Sequence, residues 1–471
     1  MKFAEFKKAG HWPTLLAAFL YFDISFMAWV ALGPLIVYIV RDMNLAVDEK
    51  FTLVAIPVLA GALLAGADGL ARRSVSAPSG PELSRNSSSS PRRRGFATSA
   101  SRRKLSVEIF GLALGIGGAS FAVALPQASR WYPPQYQGVV MGIAGAGNMG
   151  VVLDTMFAPT IAEHWGWQAV FGVLLVPMLL ILAYYAYAAK DAPGERKPVS
   201  LKAYGTLLRD PDSRWFMFFY FITFGGFVGL ANALPLYFTV QYHVSGVAAG
   251  LLVSLIVAFG SGFRPVGGLL ADRIGGIRSL SMFFGVVVAA YLVIAFMPEG
   301  PAAPAPAGWA LTEMPRIAWM SVLLFSIGVL ALGMGNGAVF QLIPLRFRHE
   351  IGLMTGMVGC AGGIGGFFLP RRSASPRRMT GGFGAGFVFF GLLALLGFLG
   401  LAMVKVRWRT TWGAASGSAG LTIARSLNSA GLAGDDRFAT KSSGFASVSS
   451  ARPASGPPMR ITSGPASAGP V

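Results

Sequence analysis

The sequence predicts an all-α polytopic membrane protein of two six-helix halves, on three observations. Of 471 residues, 54% are hydrophobic and only 13% are charged, and the mean hydropathy is +0.58. A soluble protein of this length needs a far more charged surface. The chain also holds many long apolar runs, and its Lys and Arg residues are spread unevenly between them. A soluble enzyme or binding domain is therefore excluded.

Eleven apolar runs approach or exceed the length of about 20 residues that a helix needs to cross a bilayer. The first is too long for the apolar region of a cleaved signal peptide, so we expect it to remain as a helix. The runs are 14–40, 51–70, 109–126, 138–160, 168–189, 214–238, 246–271, 280–298, 317–345, 352–370 and 382–404.

Basic residues in the connections predict the orientation. One set of connections carries fifteen Lys and Arg residues and the opposite set three, leaving aside the unusual segments below. Because cytoplasmic loops are enriched in these residues, we expect both termini in the cytoplasm. The charged cytoplasmic linker 190–214 then separates an N-terminal bundle, 1–189, from a C-terminal bundle, 215–411.

One stretch does not fit this plan. Residues 71–104 contain nine basic residues and one acidic residue among many Ser and Pro residues. Each Lys or Arg at the centre of a membrane helix costs about 2.5–3.5 kcal/mol, so the third helix of the plan is missing here. We interpret 65–104 and 371–378 as out-of-frame translations, with the disordered tail 412–471 as a further candidate. The alternative is a natural disordered loop and tail.

The formal charge of +19 would suggest nucleic acid on a soluble chain. Segments 71–104, 371–378 and 406–471 carry +8, +4 and +5 of it, so the rest of the chain is nearly neutral. We therefore expect the lipid bilayer, and no nucleic acid, as a partner. A single cysteine and four scattered histidines predict no disulfide, metal or cofactor. The sequence shows no nucleophile–base pair, so we do not expect an enzyme.

Ionisable residues within the spans are the first candidates for function. Arg264 lies deep in the run 246–271. Its planar guanidinium suits a flat oxyanion such as nitrate, nitrite or a carboxylate. The alternative is a structural ion pair with Asp23 or Asp154, the intramembrane carboxylates. Either carboxylate could instead carry a coupling proton, and Asp23 is the stronger candidate.

Two glycine-rich runs, QGVVMGIAGAGNMG and GCAGGIGGFFLP, predict close approach of helix backbones. In a transporter such faces can slide as gates; static packing is the alternative. Asn148 adds a neutral hydrogen-bonding side chain to the first run. The packing or gating candidates are Gly142, Gly145, Gly147, Gly359, Gly363 and Gly366.

The chain resembles the nitrate/nitrite porter family of the major facilitator superfamily. The resemblance is carried by strings such as FDISFMAWVALGPL, FGGFVGLANALPLYF, FRPVGGLLADRIGG and GNGAVFQLIPLRFRHEIG, together with the two glycine-rich runs. It covers most of 20–64, 109–370 and 379–411. It implies a major facilitator fold with alternating access and one anion site clamped by two arginines.

Residue by residue, the resemblance implies a binding site made of Arg264, Tyr220, Asn148, Phe121 and Phe224. The second arginine of the clamp should follow VAIPVLAGALL, but this chain has Ala65 there. Loss of one member of such a contact costs roughly 2–5 kcal/mol, so we expect an impaired carrier.

The resulting hypothesis is a nitrate/nitrite transporter of a bacterial-type inner membrane, multi-pass and monomeric. Proton symport and nitrate/nitrite exchange both remain open as its mechanism. The alternatives are a carrier of another small anion, and a non-transporting membrane protein whose basic tail binds lipid or nucleic acid.

Overall fold

A computed structural model describes residues 3–43, 47–71, 99–133, 137–193, 201–298, 311–347, 350–374 and 383–410. All regular elements in these ranges are helices. The first nine are α1 (Phe3–Lys8), α2 (Trp12–Val30), α3 (Leu32–Met43), α4 (Val47–Ala71), α5 (Ser99–Gly118), α6 (Ser120–Ser129), α7 (Gln137–Gly145), α8 (Gly150–Trp165) and α9 (Trp167–Ala188). The others are α10 (Leu201–Arg209), α11 (Pro211–Gln241), α12 (Gly246–Gly262), α13 (Arg264–Ile274), α14 (Gly276–Ala295), α15 (Arg316–Arg346), α16 (Ile351–Ala374) and α17 (Gly384–Trp408). Two short 3₁₀ helices cover Ala146–Met149 and Leu311–Glu313.

Within the described residues, ten helical stretches are long and apolar enough to cross a membrane. Each corresponds to one of the eleven predicted spans. The remaining span, 51–70, lies within the 25-residue helix α4, of which Thr52–Leu63 is apolar. The all-α multi-pass architecture predicted from the sequence is confirmed.

Several spans are discontinuous, and these breaks position the candidate site. The span from Gly246 to Ile274 consists of α12 and α13, separated at Phe263. Pro265 follows in the first turn of α13, where its missing N–H costs no helical hydrogen bond. The chain between α7 and α8 likewise tightens into the 3₁₀ helix Ala146–Met149. A 3₁₀ stretch inside a longer helix often marks a functional position.

Glycine lets the central helices approach closely. A Cβ atom built on Gly225 of α11 would lie 2.7 Å from the backbone of Gly365 in α16. One built on Gly250 of α12 would lie 2.5 Å from Pro159 Cγ in α8. Real Cβ atoms do not approach so closely, so these contacts require glycine. The first contact lies within the predicted C-terminal bundle, and the second joins helices of the two predicted bundles.

Helices α4 and α5 lie side by side and run in the same direction. A Cβ atom on Gly111 would lie 3.4 Å from Pro57, and one on Gly118 would lie 2.9 Å from Gly61 Cα. Later residues of α4 thus contact later residues of α5, so the two helices are parallel. Consecutive helices of a membrane bundle normally alternate in direction, so a parallel pair departs from the plan predicted from the sequence.

The predicted aberrant segment 65–104 lies between α4 and α5 in the sequence, and the structure describes only its backbone at 65–71 and 99–104, in helices. For the predicted aberrant segment 371–378, only the helical backbone at 371–374 is described. The rest of both segments, and the predicted tail 412–471, lie outside the described residues. The out-of-frame interpretation stays a prediction.

A charged cluster links the first turn of α11 to the last turns of α15 and α17. Asp212 accepts hydrogen bonds from Arg346 Nε at 2.8 Å, from Trp408 Nε1 at 2.8 Å, and from Arg407. Asp210 caps α11 and also accepts from Arg346 at 3.0 Å. One aspartate thus connects three helix ends.

The outer face of α9 is apolar and exposed. Leu175, Val176 and Leu180 are 52%, 61% and 68% exposed, with further exposed leucines at Leu179 and Leu182. A stripe of this size on a water-soluble surface would favour association or aggregation. It fits the hydrocarbon region of a bilayer, as a multi-pass membrane protein requires.

Candidate functional site

Arg264 is the buried charge around which the candidate site is built. It is the first residue of α13 and only 3% exposed. The interruption at Phe263 brings its side chain towards the middle of the helices. Its Nη2 donates a hydrogen bond to Tyr220 Oη of α11 at 2.9 Å. Tyr220 is itself fully buried.

Three phenylalanine rings surround the guanidinium. The Cζ atom of Arg264 lies 6.0 Å from the ring centroid of Phe121, 5.9 Å from that of Phe224 and 5.7 Å from that of Phe340. Phe224 stacks on Tyr220 with centroids 4.9 Å apart, and Phe340 meets Tyr220 edge-on at 5.1 Å. Aromatic faces at this distance attract a cation. We call these three phenylalanines and Tyr220 the aromatic cage.

The guanidinium is not neutralised within the described part of the chain. Arg264 Nη1 is buried without a hydrogen-bond partner, and no described carboxylate forms an ion pair with this arginine. Asp23 instead accepts a hydrogen bond from Gly150 N at 2.6 Å. Both carboxylate oxygens of Asp154 are buried and have no partner. The alternative of a structural pair between Arg264 and either aspartate is therefore absent from these residues.

A cavity of about 150 Å³ opens beside Arg264. It is lined by side chains of α7, α13 and α15, among them Met141, Phe340, Asp272 and Gln341. From Arg264 it extends towards Pro344 and Leu345, near the end of α15. Arg264 is thus one of the residues that line this space.

The first glycine-rich run lies directly against the arginine. A Cβ atom on Gly145 would lie 3.4 Å from Arg264 Nε, and one on Gly142 would lie 3.5 Å from Pro265 Cβ. A Cβ atom on Gly147 would lie 2.5 Å from Phe22 Cδ1 of α2. The run thus separates α13 on one side from α2 on the other.

Asn148 lies in the 3₁₀ helix of that run. Its side chain is 1% exposed, and its Oδ1 is buried without a partner. Its backbone oxygen accepts a hydrogen bond from Ser261 Oγ of α12 at 3.2 Å. Ser261 lies three residues before Arg264, so Asn148 is held at the same level of the molecule.

The second glycine-rich run, in α16, lies against the aromatic cage and α4. A Cβ atom on Gly359 would lie 3.1 Å from the ring of Phe121. Gly363 and Gly366 face Ala62 and Val58 of α4, at 2.6 Å and 2.9 Å by the same measure. All six glycines singled out in the sequence therefore lie at helix contacts.

Sequence reasoning missed two residues at this site. Phe340 belongs to the string GNGAVFQLIP, but a mid-span aromatic carries little signal because most pack against lipid or core. Gly362 was also missed, although a Cβ atom there would lie 2.7 Å from the Tyr220 ring. The position of the expected second arginine, Ala65, lies in α4, and its side chain is outside the described residues.

Comparison with known proteins identifies the family. The family model of the Major Facilitator Superfamily matches residues 107–370. The "Nitrite extrusion protein" of Bacillus subtilis is 31% identical over 380 residues, which cover 80% of this chain and 90% of that protein. The "Probable nitrate transporter NarT" of Staphylococcus carnosus is 29% identical over 79% of this chain and 91% of its own length.

Solved structures agree on the fold. The D-xylose–proton symporter superposes with a TM-score of 0.56 at 16% identity, over 83% of this chain and 96% of that one. A bacterial homologue of the lysosomal transporter Spinster gives a TM-score of 0.53 at 15% identity, with the same coverage. Identity this low supports the fold alone. The superfamily model and the 31% identical relative establish that the chain belongs to the nitrate/nitrite porter family of the major facilitator superfamily.

Proposed function

We propose that this transporter carries nitrate and nitrite across a bacterial-type inner membrane by alternating access. The observation that carries the proposal is the buried guanidinium of Arg264, with Nη1 unpartnered and three phenylalanine rings around it. A buried charge of this kind is costly unless a partner neutralises it. A flat oxyanion supplies the missing charge and accepts bidentate hydrogen bonds from the guanidinium. The names of the sequence relatives support the choice of anion.

In this proposal each residue has a distinct part. Arg264 binds the anion through its free edge, and Tyr220 holds the other edge in place. Phe121 and Phe224 cover the faces of the planar anion, where they exclude water and strengthen the charge interaction. Asn148 supplies a polar side chain on the side of the first glycine-rich run.

The glycines supply the moving surfaces. The second glycine-rich run contacts the cage and the opposing bundle, at Gly359 against Phe121 and Gly363 against Ala62. The first run contacts the opposing bundle at Gly145 against Arg264. Flat surfaces without side chains let two packed helices slide with little steric resistance. Alternating access requires such movement, since the two bundles rock around a fixed site.

The test of the proposal is uptake by the purified protein. Proteoliposomes that contain the full chain should accumulate labelled nitrate, and unlabelled nitrite should compete. Uptake no faster than in protein-free liposomes, or competition by unrelated organic anions alone, would argue for a carrier of another anion or for a non-transporting protein. Because Ala65 stands where the family resemblance implies the second arginine, we expect weak uptake with a high KM.

The driving force is either proton symport or nitrate/nitrite exchange. Asp23 is the proton candidate, and it accepts a hydrogen bond from the first residue of α8, Gly150. Uptake into proteoliposomes with and without an imposed pH gradient separates the two mechanisms. Under symport the gradient should accelerate uptake by the parent chain but not by Asp23→Asn. A rate that responds only to nitrite loaded inside favours exchange.

We further propose that the protein is monomeric, with both termini in the cytoplasm. The orientation is supported by the excess of Lys and Arg on one set of connections, fifteen against three. Protease tags fused at each terminus should be cut in inverted membrane vesicles and protected in right-side-out vesicles. Cleavage in the right-side-out preparation would contradict this orientation.

A further inference from the structure

Asn336 is a buried amide whose hydrogen-bonding capacity is unused. It lies in α15, is 0% exposed, and neither its Nδ2 nor its Oδ1 has a partner. An amide in this condition has lost its water without gaining a protein partner, so it reduces stability. An absent water, ion or ligand is a common reason for such a group.

The position of Asn336 relates it to the candidate site. It precedes Phe340 by four residues, so the two side chains project from one face of α15. The ring of Phe340 lies 5.7 Å from Arg264 Cζ and 5.5 Å from Phe121. Asn336 therefore lies on the cage face of α15, one turn from a ring of the cage.

The neighbouring residue brings α15 against the start of α13. Gly337 contacts the backbone oxygen of Arg264, and a Cβ atom on Gly337 would lie 2.7 Å from Gly268 N. This close approach leaves no room for a side chain between the two helices at this point. The amide at position 336 is thus fixed near the level of the guanidinium.

Each of the other two buried asparagines that the structure describes has one buried, unpartnered side-chain atom, its Oδ1. Asn232 Nδ2 donates to Val228 O at 2.8 Å. In Asn148 only the side-chain oxygen is buried and unpartnered. Asn336 is the member of this group in which both amide atoms are buried and unpartnered. Ordinary helix packing accounts for Asn232 but not for Asn336.

We propose that Asn336 is a further anion-binding residue, whose amide donates a hydrogen bond to an anion oxygen when Arg264 holds the anion. The inference rests on the proposed function. Nitrate has three oxygens in a plane, whereas nitrite has two. A guanidinium edge engages two oxygens, so a donor from another helix can reach the third oxygen of nitrate. Asn336 therefore increases the preference for nitrate over nitrite.

The test is Asn336→Leu in the full chain, which replaces the amide by an apolar side chain of similar size. Binding is measured as the rise in thermal unfolding temperature of the purified protein with sodium nitrate or sodium nitrite. We expect the Kd for nitrate to rise about tenfold or more and the Kd for nitrite to change much less. Without anion, the unfolding temperature should stay the same or rise, since an unpaired buried amide has been removed.

Asn232→Ala is the control, with Asn336→Ala as its matched partner. Asn232→Ala should lower the unfolding temperature and leave the ratio of the nitrate and nitrite Kd values unchanged, whereas Asn336→Ala should change that ratio. If Asn336→Leu does not fold, Asn336→Ala, which only removes atoms, gives the same readout. Unchanged nitrate affinity, or equal loss of both anions, would overturn the inference alone. A wild-type protein that responds to neither anion would overturn the proposed function as well.

Discussion

Tyr220 accepts a 2.9 Å hydrogen bond from Nη2 of Arg264, and both side chains are buried. The two residues come from α11 and α13, so the bond connects separate helices. It fixes one edge of the guanidinium and leaves Nη1 without a partner. A group already held in its binding orientation loses less entropy when a ligand arrives. The pair is therefore the rigid part of the candidate site.

Tyr220→Phe should weaken nitrate binding while the protein stays folded. The change frees one edge of the guanidinium, which then has to be ordered on binding at a cost of about 0.5–1.5 kcal/mol, or roughly 2- to 10-fold in Kd. Nitrate-dependent thermal stabilisation of the purified protein measures the effect. Tyr291→Phe is the matched control, because Tyr291 is equally buried but its hydroxyl has no partner. Equal losses in both variants would contradict a special role for Tyr220.

Gly147→Ala should reduce both stability and transport. Its Cβ atom would lie 2.5 Å from Phe22 Cδ1 and 3.1 Å from the backbone of Asp23, so α2 has to move. Overpacking of this kind typically costs about 1–3 kcal/mol. The measurement pairs thermal unfolding in detergent with nitrate uptake.

Gly285→Ala is the control for that variant, because nothing lies within 4 Å of its added Cβ atom. Alanine in the middle of α14 should stabilise the helix by up to about 1 kcal/mol and leave uptake unchanged. A Gly147→Ala protein as stable and active as Gly285→Ala would refute the close contact between α2 and the first glycine-rich run.

Ala65→Arg should increase nitrate affinity. The family resemblance implies an arginine at this position of α4, and a second cation would share the charge of the anion with Arg264. If the replaced contact is worth about 2–5 kcal/mol, the KM should fall by at least an order of magnitude. Ala65→Gln, which adds length without charge, is the control. A KM that stays the same in Ala65→Arg would indicate that this end of α4 does not reach the site.

Asp212→Asn should destabilise the cluster at the start of α11. Asp212 accepts hydrogen bonds from Arg346, Arg407 and Trp408, and its own side chain is 9% exposed. Because the two arginines are 32% and 46% exposed, solvent screens the charges, and we expect a loss of about 1–2 kcal/mol.

The midpoint of thermal unfolding measures that loss. High salt should narrow the difference in midpoint between Asp212→Asn and the parent chain, because added salt screens these partly exposed charges further. Glu313→Gln, a change at an exposed carboxylate, should leave the midpoint where it is. A midpoint for Asp212→Asn that matches this control would show that the cluster contributes nothing to stability.

Much of the fold could be predicted because hydropathy reports membrane spans directly. Ten of the eleven predicted spans match helical stretches long and apolar enough to cross a membrane, and the eleventh lies within α4. The breaks inside spans could not be predicted this way. The run from Gly246 to Ile274 is apolar on both sides of Phe263, so a hydropathy pattern sees a single helix. The break depends on local backbone geometry, and it is what positions Arg264.

Parts of the candidate site could be predicted from the sequence because some of its residue types are rare in membrane spans. Arg264 stands out because a membrane span seldom contains an arginine, and Tyr220 was found through the family resemblance. Phe340 was missed because aromatic residues are common in apolar helices, and Asn336 because the sequence does not show that its amide lacks a partner. Their importance depends on which neighbours they meet, and that depends on tertiary packing.

The measurement that tests the account most directly is nitrate uptake by Arg264→Lys in proteoliposomes. Lysine keeps the positive charge but lacks the planar fork that binds two oxygens and the edge held by Tyr220. We predict that uptake falls at least tenfold while the protein stays folded and correctly inserted. Full uptake of nitrate by Arg264→Lys would contradict the claim that the guanidinium of Arg264 binds the anion.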